Sequence, residues 1–165
     1  MVGGTVVIGS NAFSDCENLT AVKILSPGVD KFQVGSGIFT NCPILKTAEY
    51  QGPIITSGMF KNCPLLESVV TTADVFNSSA FENCPKLTMV TEMGKTTPII
   101  AKQIDSAAFA GCSALKSTSA TANTIFNGTT QYQGCTSLTG ANVSALTAYM
   151  FKDCINLSNV KITNV

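Results

Sequence analysis

One frame, Phe-x-x-Cys-x-x-Leu, recurs along the whole chain and limits its fold more than any property of its composition. The copies start at Phe13, Phe39, Phe60, Phe81, Phe109, Tyr132 and Phe151, carry Cys16, Cys42, Cys63, Cys84, Cys112, Cys135 and Cys154, and close on Leu19, Leu45, Leu66, Leu87, Leu115, Leu138 and Leu157. Every cysteine of the protein is used once, at successive spacings of 26, 21, 21, 28, 23 and 19 residues. Self-similarity at such a period is the mark of a solenoid, in which each unit packs only on its neighbours and chain length measures the number of turns.

The 165 residues are 45% hydrophobic, only 12% charged and formally neutral, so electrostatic capture of nucleic acid or of an anionic membrane is not expected. No apolar run approaches the roughly 18 residues of a membrane span. The opening Met-Val-Gly-Gly-Thr-Val-Val-Ile lacks the basic and long apolar regions of a signal peptide. The sequence has no histidine and no CxxC, so the usual zinc patterns and Cys-His pairs cannot be built, and no cofactor is expected. One cysteine at the same place of every coil would point parallel to its neighbours, a poor geometry for bridging. The cysteines therefore read as small buried hydrophobes, with a reactive thiol or an intermolecular bridge as the competing reading. Carboxylates are scattered and no phosphate-loop pattern occurs, so nothing supports an enzyme.

Before each Phe comes a small or apolar residue, preceded by a hydroxyl at Ser10, Ser36, Ser57, Ser78, Ser106 and Thr129, a place from which it would cap one helical turn. Asp15, Asn41, Asn62, Asn83, Gly111, Gly134 and Asp153 precede the cysteines and are types that tolerate left-handed φ. Pro43, Pro64 and Pro85 follow the cysteine in three copies and stop any helix. After each Leu the pattern alternates as in a strand, for example Leu19, Val22, Ile24. Parallel pairing of these strands would leave Lys23, Glu49, Val70, Thr91, Ser119, Asn142 and Lys161 facing outward in one row, while Thr71, Thr118 and Ala120 fall at inward places. A second apolar site lies five residues before the ring at Ile8, Val34, Ile55, Phe76, Ile104 and Leu146. In the sixth copy Asn127 holds that place and Phe126 lies one residue earlier, so a bulge or shifted register is expected there.

Spacing varies only between Leu and the next ring, so loops grow on one side. The longest inserts run from Ser26 to Lys31 and from Glu92 to Lys102, both with Gly and Pro turn formers. The second also carries Lys95 and Lys102 beside Ile99 and Ile100. Neither end has a polar capping unit, which is expected of a fragment of a longer array or of ends covered by further repeats or by self-association. Asn-x-Ser/Thr triplets begin at Asn18, Asn77, Asn127, Asn142 and Asn156, and would matter only in a eukaryotic source.

With the frame written out, Ile8-Gly-Ser-Asn-Ala-Phe13-Ser-Asp-Cys16-Glu-Asn-Leu19-Thr-Ala-Val22-Lys-Ile24 resembles the BspA-like leucine-rich repeats of bacterial and protist surface proteins. The resemblance covers essentially the whole chain. It implies a β-rich solenoid of about seven coils, as a single domain over residues 1–165, with a parallel β-sheet on one face and short helical turns on the other. It further implies display at a cell surface or outside the cell, adhesion to host, matrix or cell-surface proteins or to glycans, and no catalytic residues. Binding would use the outward strand row and the insert from Glu92 to Lys102, not a closed pocket. The alternative is a spacer that holds other domains away from a surface.

Overall fold

The computed structural model describes residues 5–25 and 31–163. The first insert, Ser26 to Lys31, thus lies outside the described residues except for Lys31. Twelve short strands, and no helix, occur among the described residues. They fall into two columns, and each coil is named here by the order of its cysteine.

The strand that follows the Leu in every coil except the fifth forms the first column: β2 (Ala21–Ile24), β4 (Thr47–Tyr50), β6 (Ser68–Thr71), β8 (Met89–Glu92), β11 (Gly140–Val143) and β12 (Asn159–Ile162). The apolar site before the ring forms the second in the first six coils: β1 (Thr5–Ile8), β3 (Lys31–Val34), β5 (Ile54–Ile55), β7 (Val75–Phe76), β9 (Gln103–Ile104) and β10 (Ile125–Phe126). In the seventh, Leu146 lies in no strand and is exposed, because no further coil covers it among the described residues. All these pairings are parallel, because each strand meets its counterpart one coil away. They make sheets β2-β4-β6-β8 and β11-β12 on one side, and β1-β3 and β5-β7-β9-β10 on the other. The expected shift in the sixth coil is present: Phe126 pairs with Ile104. The extra residue before Tyr132 is taken up around Gly128 at φ 76°.

The Phe segments are turns and not helical turns, for a reason repeated in every coil. The residue two after the ring has positive φ, as expected, at Asp15, Asn41, Asn62, Asn83, Gly111, Gly134 and Asp153, but so does the residue two before it, at Asn11, Gly37, Gly58, Ser79, Ala107, Thr130 and Tyr149. A left-handed residue on either side leaves no room for a helix to propagate. Main-chain donors therefore turn to the next coil: Phe13 N–H to Ile38 O at 2.9 Å, Phe39 to Met59 at 2.9 Å and Phe60 to Ala80 at 2.9 Å. The serines do the same. Ser10 Oγ accepts from Ser36 N–H at 3.2 Å and Ser106 Oγ from Thr129 N–H at 3.1 Å, so these hydroxyls link coils instead of capping a helix.

Three side-chain columns fill the interior. The rings stack from Phe13 to Phe151 without interruption, with centroids 5.2 to 5.7 Å apart. Leu45, Leu66, Leu87, Leu115 and Leu138 are fully buried. From coil two onward each cysteine S–H donates to the carbonyl of the preceding coil's ring residue, for example Cys63 to Phe39 O at 3.1 Å, Cys84 to Phe60 O at 2.9 Å and Cys112 to Phe81 O at 3.0 Å. A thiol is thus a small hydrophobe that also satisfies a buried acceptor, which alanine or valine could not do. All seven cysteines are free thiols, buried except for the half-buried Cys16.

Burial also sets how these thiols titrate. It raises Cys42 from 9.0 to about 11 and Cys112 from 9.0 to about 12, and pushes up Cys84 and Cys135 as well. Unfolded, these four thiols ionise from about pH 9 upward while the folded chain holds them protonated; of the cysteines, Cys63 alone shifts down, through its hydrogen bond with Cys84. Their contribution to stability is therefore full below that pH and is lost as pH rises through about 11 to 12. The urea midpoint is expected to fall steeply above about pH 9, and a midpoint constant from about pH 8 to 11 would contradict the buried column.

Candidate binding surface

The outward row of the first column is realised in four coils. Lys23 pairs with Glu49 in register, Glu49 with Val70, and Val70 with Thr91. Their side chains lie on the outer face because their strand neighbours Val22, Ala48, Val69 and Val90 turn into the core. Lys23 Nζ approaches Glu49 Oε2 at 2.8 Å. An exposed ion pair of this kind contributes less than about 1 kcal/mol, so both groups remain free to exchange partners. Lys23, Thr47, Glu49, Ser68 and Val70 help to line a shallow depression of about 340 Å³ on this face.

Ser119 does not belong to the row. It is only 1% exposed, has φ 52° and lies in no strand, and its hydroxyl is a buried group without a hydrogen-bond partner among the described residues. The cause is the insert from Glu92 to Lys102. It turns back on β8 and bonds it in antiparallel fashion: Glu92 N–H to Thr97 O at 3.3 Å and Ile99 N–H to Val90 O at 2.9 Å, with Thr91 bridged to Pro98. The insert occupies the β8 edge that the fifth strand would have used. Ala101 N–H then binds Ser119 O at 2.8 Å and holds the displaced segment beneath it.

The row therefore ends at Thr91 and resumes as Asn142 and Lys161, paired with each other in the separate sheet β11-β12. Both are exposed, and Asn142 Oδ1 accepts from Thr163 Oγ1 at 3.0 Å. Of the insert's apolar pair, Ile99 is buried at 4% and Ile100 exposed at 50%. Its lysines are engaged: Lys95 Nζ lies 2.7 Å from Glu92 Oε2 and Lys102 Nζ 2.6 Å from Asp74 Oδ2.

Two features of the coils, one at the turn edge and one in the core, have partners that the sequence does not indicate. Asp15, Asn41, Asn62 and Asn83 form an amide ladder along the turn edge, each Asn Nδ2 donating at 2.9 Å to the Oδ1 of the coil before. Tyr132 replaces Phe because its hydroxyl donates to Thr118 O inside the displaced segment, an acceptor phenylalanine could not serve. A hollow of about 410 Å³ opens on the inner side of the first coil, against Val7, Ile8, Phe13 and Val22. Among the described residues no cluster of His, Cys, Asp and Glu could hold a metal ion, and no helix is long and apolar enough to cross a membrane.

A parallel solenoid of turns and short strands, with Phe, Cys and Leu in columns, defines a leucine-rich-repeat module. The sequence model of the family described as a BspA type leucine rich repeat region matches residues 3–103 and 95–165, in six copies, and the chain belongs to that family. Such repeat modules generally serve interaction and not catalysis. A leucine-rich repeat protein from Bacteroides ovatus ATCC 8483, known from its crystal structure, is 26% identical with a TM-score of 0.75, over 92% of this chain and 39% of that one. A leucine rich cell surface protein from Faecalibacterium prausnitzii A2-165 is 19% identical with a TM-score of 0.46, over 91% of this chain and 49% of that one. The chain thus spans less than half the length of either solved protein. No curated protein matches the sequence.

Proposed function

We propose that this chain is an adhesion-type binding segment of a surface-displayed protein, and that it takes an extended region of a partner protein along the outward row. The observation that carries this reading is the in-register succession Lys23, Glu49, Val70, Thr91 over four coils. It joins a rigid, regularly spaced scaffold to one cation, one anion and two small groups, which suits many weak contacts along a line. The exposed Lys95 of the insert stands beside the end of the row, and Asn142 and Lys161 extend the available surface beyond the break.

The experiment is a panel of surface proteins, matrix proteins and glycans offered to the wild-type chain, to Val70→Glu and to a Lys23→Glu, Lys95→Glu double variant. Shortening the insert is unsuitable because Ile99 is core. Val70→Glu places a charge in the middle of the row and is expected to weaken a captured ligand by about tenfold or more, about 1.4 kcal/mol. A ligand that binds both folded variants as it binds wild type would sink the proposal. A panel with no ligand at all would favour the spacer reading.

A further inference from the structure

We propose that the edge of β11 facing coil five is a docking site for an extended peptide segment of a partner protein, which joins β11 as an added strand. In the four-stranded sheet each strand after β2 is bonded to the coil before it: Ser68 N–H reaches Lys46 O at 3.4 Å and Thr72 N–H reaches Tyr50 O at 3.3 Å. Gly140 and Asn142 stand in coil six where Ser68 and Val70 stand in coil three, two and four residues after the Leu. Their main-chain N–H and C=O groups point away from β12, since Thr139 O and Val143 O are the groups that accept from Asn159 and Thr163. They should meet coil five, but no main-chain bond from coil five reaches them.

The reason lies in the chain itself. Thr118 occupies the place of Ala48, whose carbonyl faces β6, yet Thr118 O is turned inward to the hydroxyl of Tyr132. The next residue is held by other bonds, Ser119 O to Ala101 N–H at 2.8 Å and Ser119 N–H to Ser117 Oγ at 3.2 Å. The insert satisfies the facing edge of β8 and leaves that of β11 unsatisfied. Gly140 and Asn142 are both exposed. A Cβ built on Gly140 would meet Asn159 O at 3.6 Å and no atom of coil five within 4 Å.

An open row of alternating main-chain donors and acceptors is matched by the main chain of another extended peptide, the complementarity used in strand addition. A glycan offers hydroxyls without that fixed alternation. Gly140 presents no side chain to obstruct the approach, and the Asn142 amide flanks it as a polar contact. The site rests on the reading of this chain as a protein-binding module, but it uses a strand edge at the break between two sheets and not the outward row.

The test selects peptides from a random display library on the whole chain and measures them against wild type, Asn142→Pro and Val70→Glu, with residue-resolved amide exchange by NMR. In the free protein the Asn142 amide is expected to exchange at least about tenfold faster than that of Val70. Selected peptides should protect the amides of Gly140 and Asn142, weaken about tenfold or more in Asn142→Pro, and ignore Val70→Glu. Methylation of alternate peptide nitrogens should abolish binding in one phase and spare it in the other, a result independent of how the proline variant folds. An Asn142 amide as protected as Val70 in the free protein would overturn the site, as would a selection that yields no peptide protecting Asn142. Peptides sensitive to Val70→Glu and indifferent to Asn142→Pro would also refute it while supporting the outward row.

Discussion

Phe81→Ala is expected to lower stability by about 3 to 5 kcal/mol. Phe81 is fully buried. Its ring lies between Phe60 at 5.7 Å and Phe109 at 5.2 Å, with the edge of Phe76 at 5.7 Å, so its removal strips contacts from three aromatic neighbours at once. The coils on either side are tied by main-chain bonds and cannot close the void by sliding together. Phe60→Ala, with stacked rings on both sides, should behave alike. Phe13 is 45% exposed and, among the described residues, stacks on Phe39 alone, so Phe13→Ala should cost less than half as much. Urea midpoints of the three variants decide the matter, and losses below about 1 kcal/mol at both inner sites would mean that the ring column is not the core.

Asn62→Val is expected to cost about 2 to 4 kcal/mol, although Asn62 lies at the surface. Asn62 has φ 57°, a conformation hostile to a β-branched side chain. It also stands in the middle of the amide ladder, donating to Asn41 Oδ1 at 2.9 Å and accepting from Asn83 Nδ2 at 2.9 Å. Asn62→Gly separates the two causes, since glycine keeps the backbone geometry and deletes the ladder bonds. It should cost only about 1 kcal/mol, given that these bonds are solvent-accessible. Equal midpoints for the Val and Gly variants would show that left-handed backbone is not what the turn demands of this position.

The periodic part of the structure was readable in advance because it is written many times over. Each coil repeats the same requirements, so the Leu, Cys and ring columns, the left-handed residue before each cysteine and the strand register from Lys23 to Thr91 all follow from the frame. What escaped was written in residues that do not advertise their role. The left-handed position two before the ring is filled by Ser79, Ala107, Thr130 and Tyr149 in four coils, types that carry no such preference, so the sequence reads there as one helical turn. The second strand column is only two residues wide in β5, β7, β9 and β10, too short to show alternation. Register arithmetic that assumes a strand in every coil puts Ser119 outward. The insert breaks that assumption by folding back on β8 as a short hairpin through Thr97 and Ile99, a pairing that its side-chain pattern, with no strand alternation, does not announce. Tyr132 stood out as a departure from Phe, but its partner Thr118 O is a main-chain atom and leaves no mark in the side-chain pattern.

Cysteine accessibility tests the central claim most directly, because each coil carries one thiol at the same place and the chain thereby reports on its own packing coil by coil. The measurement is the labelling rate of every cysteine, resolved by mass spectrometry, with a bulky thiol reagent at neutral pH and without denaturant. The half-buried Cys16 is expected to react first, and Cys63, Cys84, Cys112 and Cys135 only as fast as the whole stack unfolds, all without disulfides. Labelling of these inner four as fast as Cys16, or bridges between them, would contradict a continuous solenoid closed around its side-chain columns.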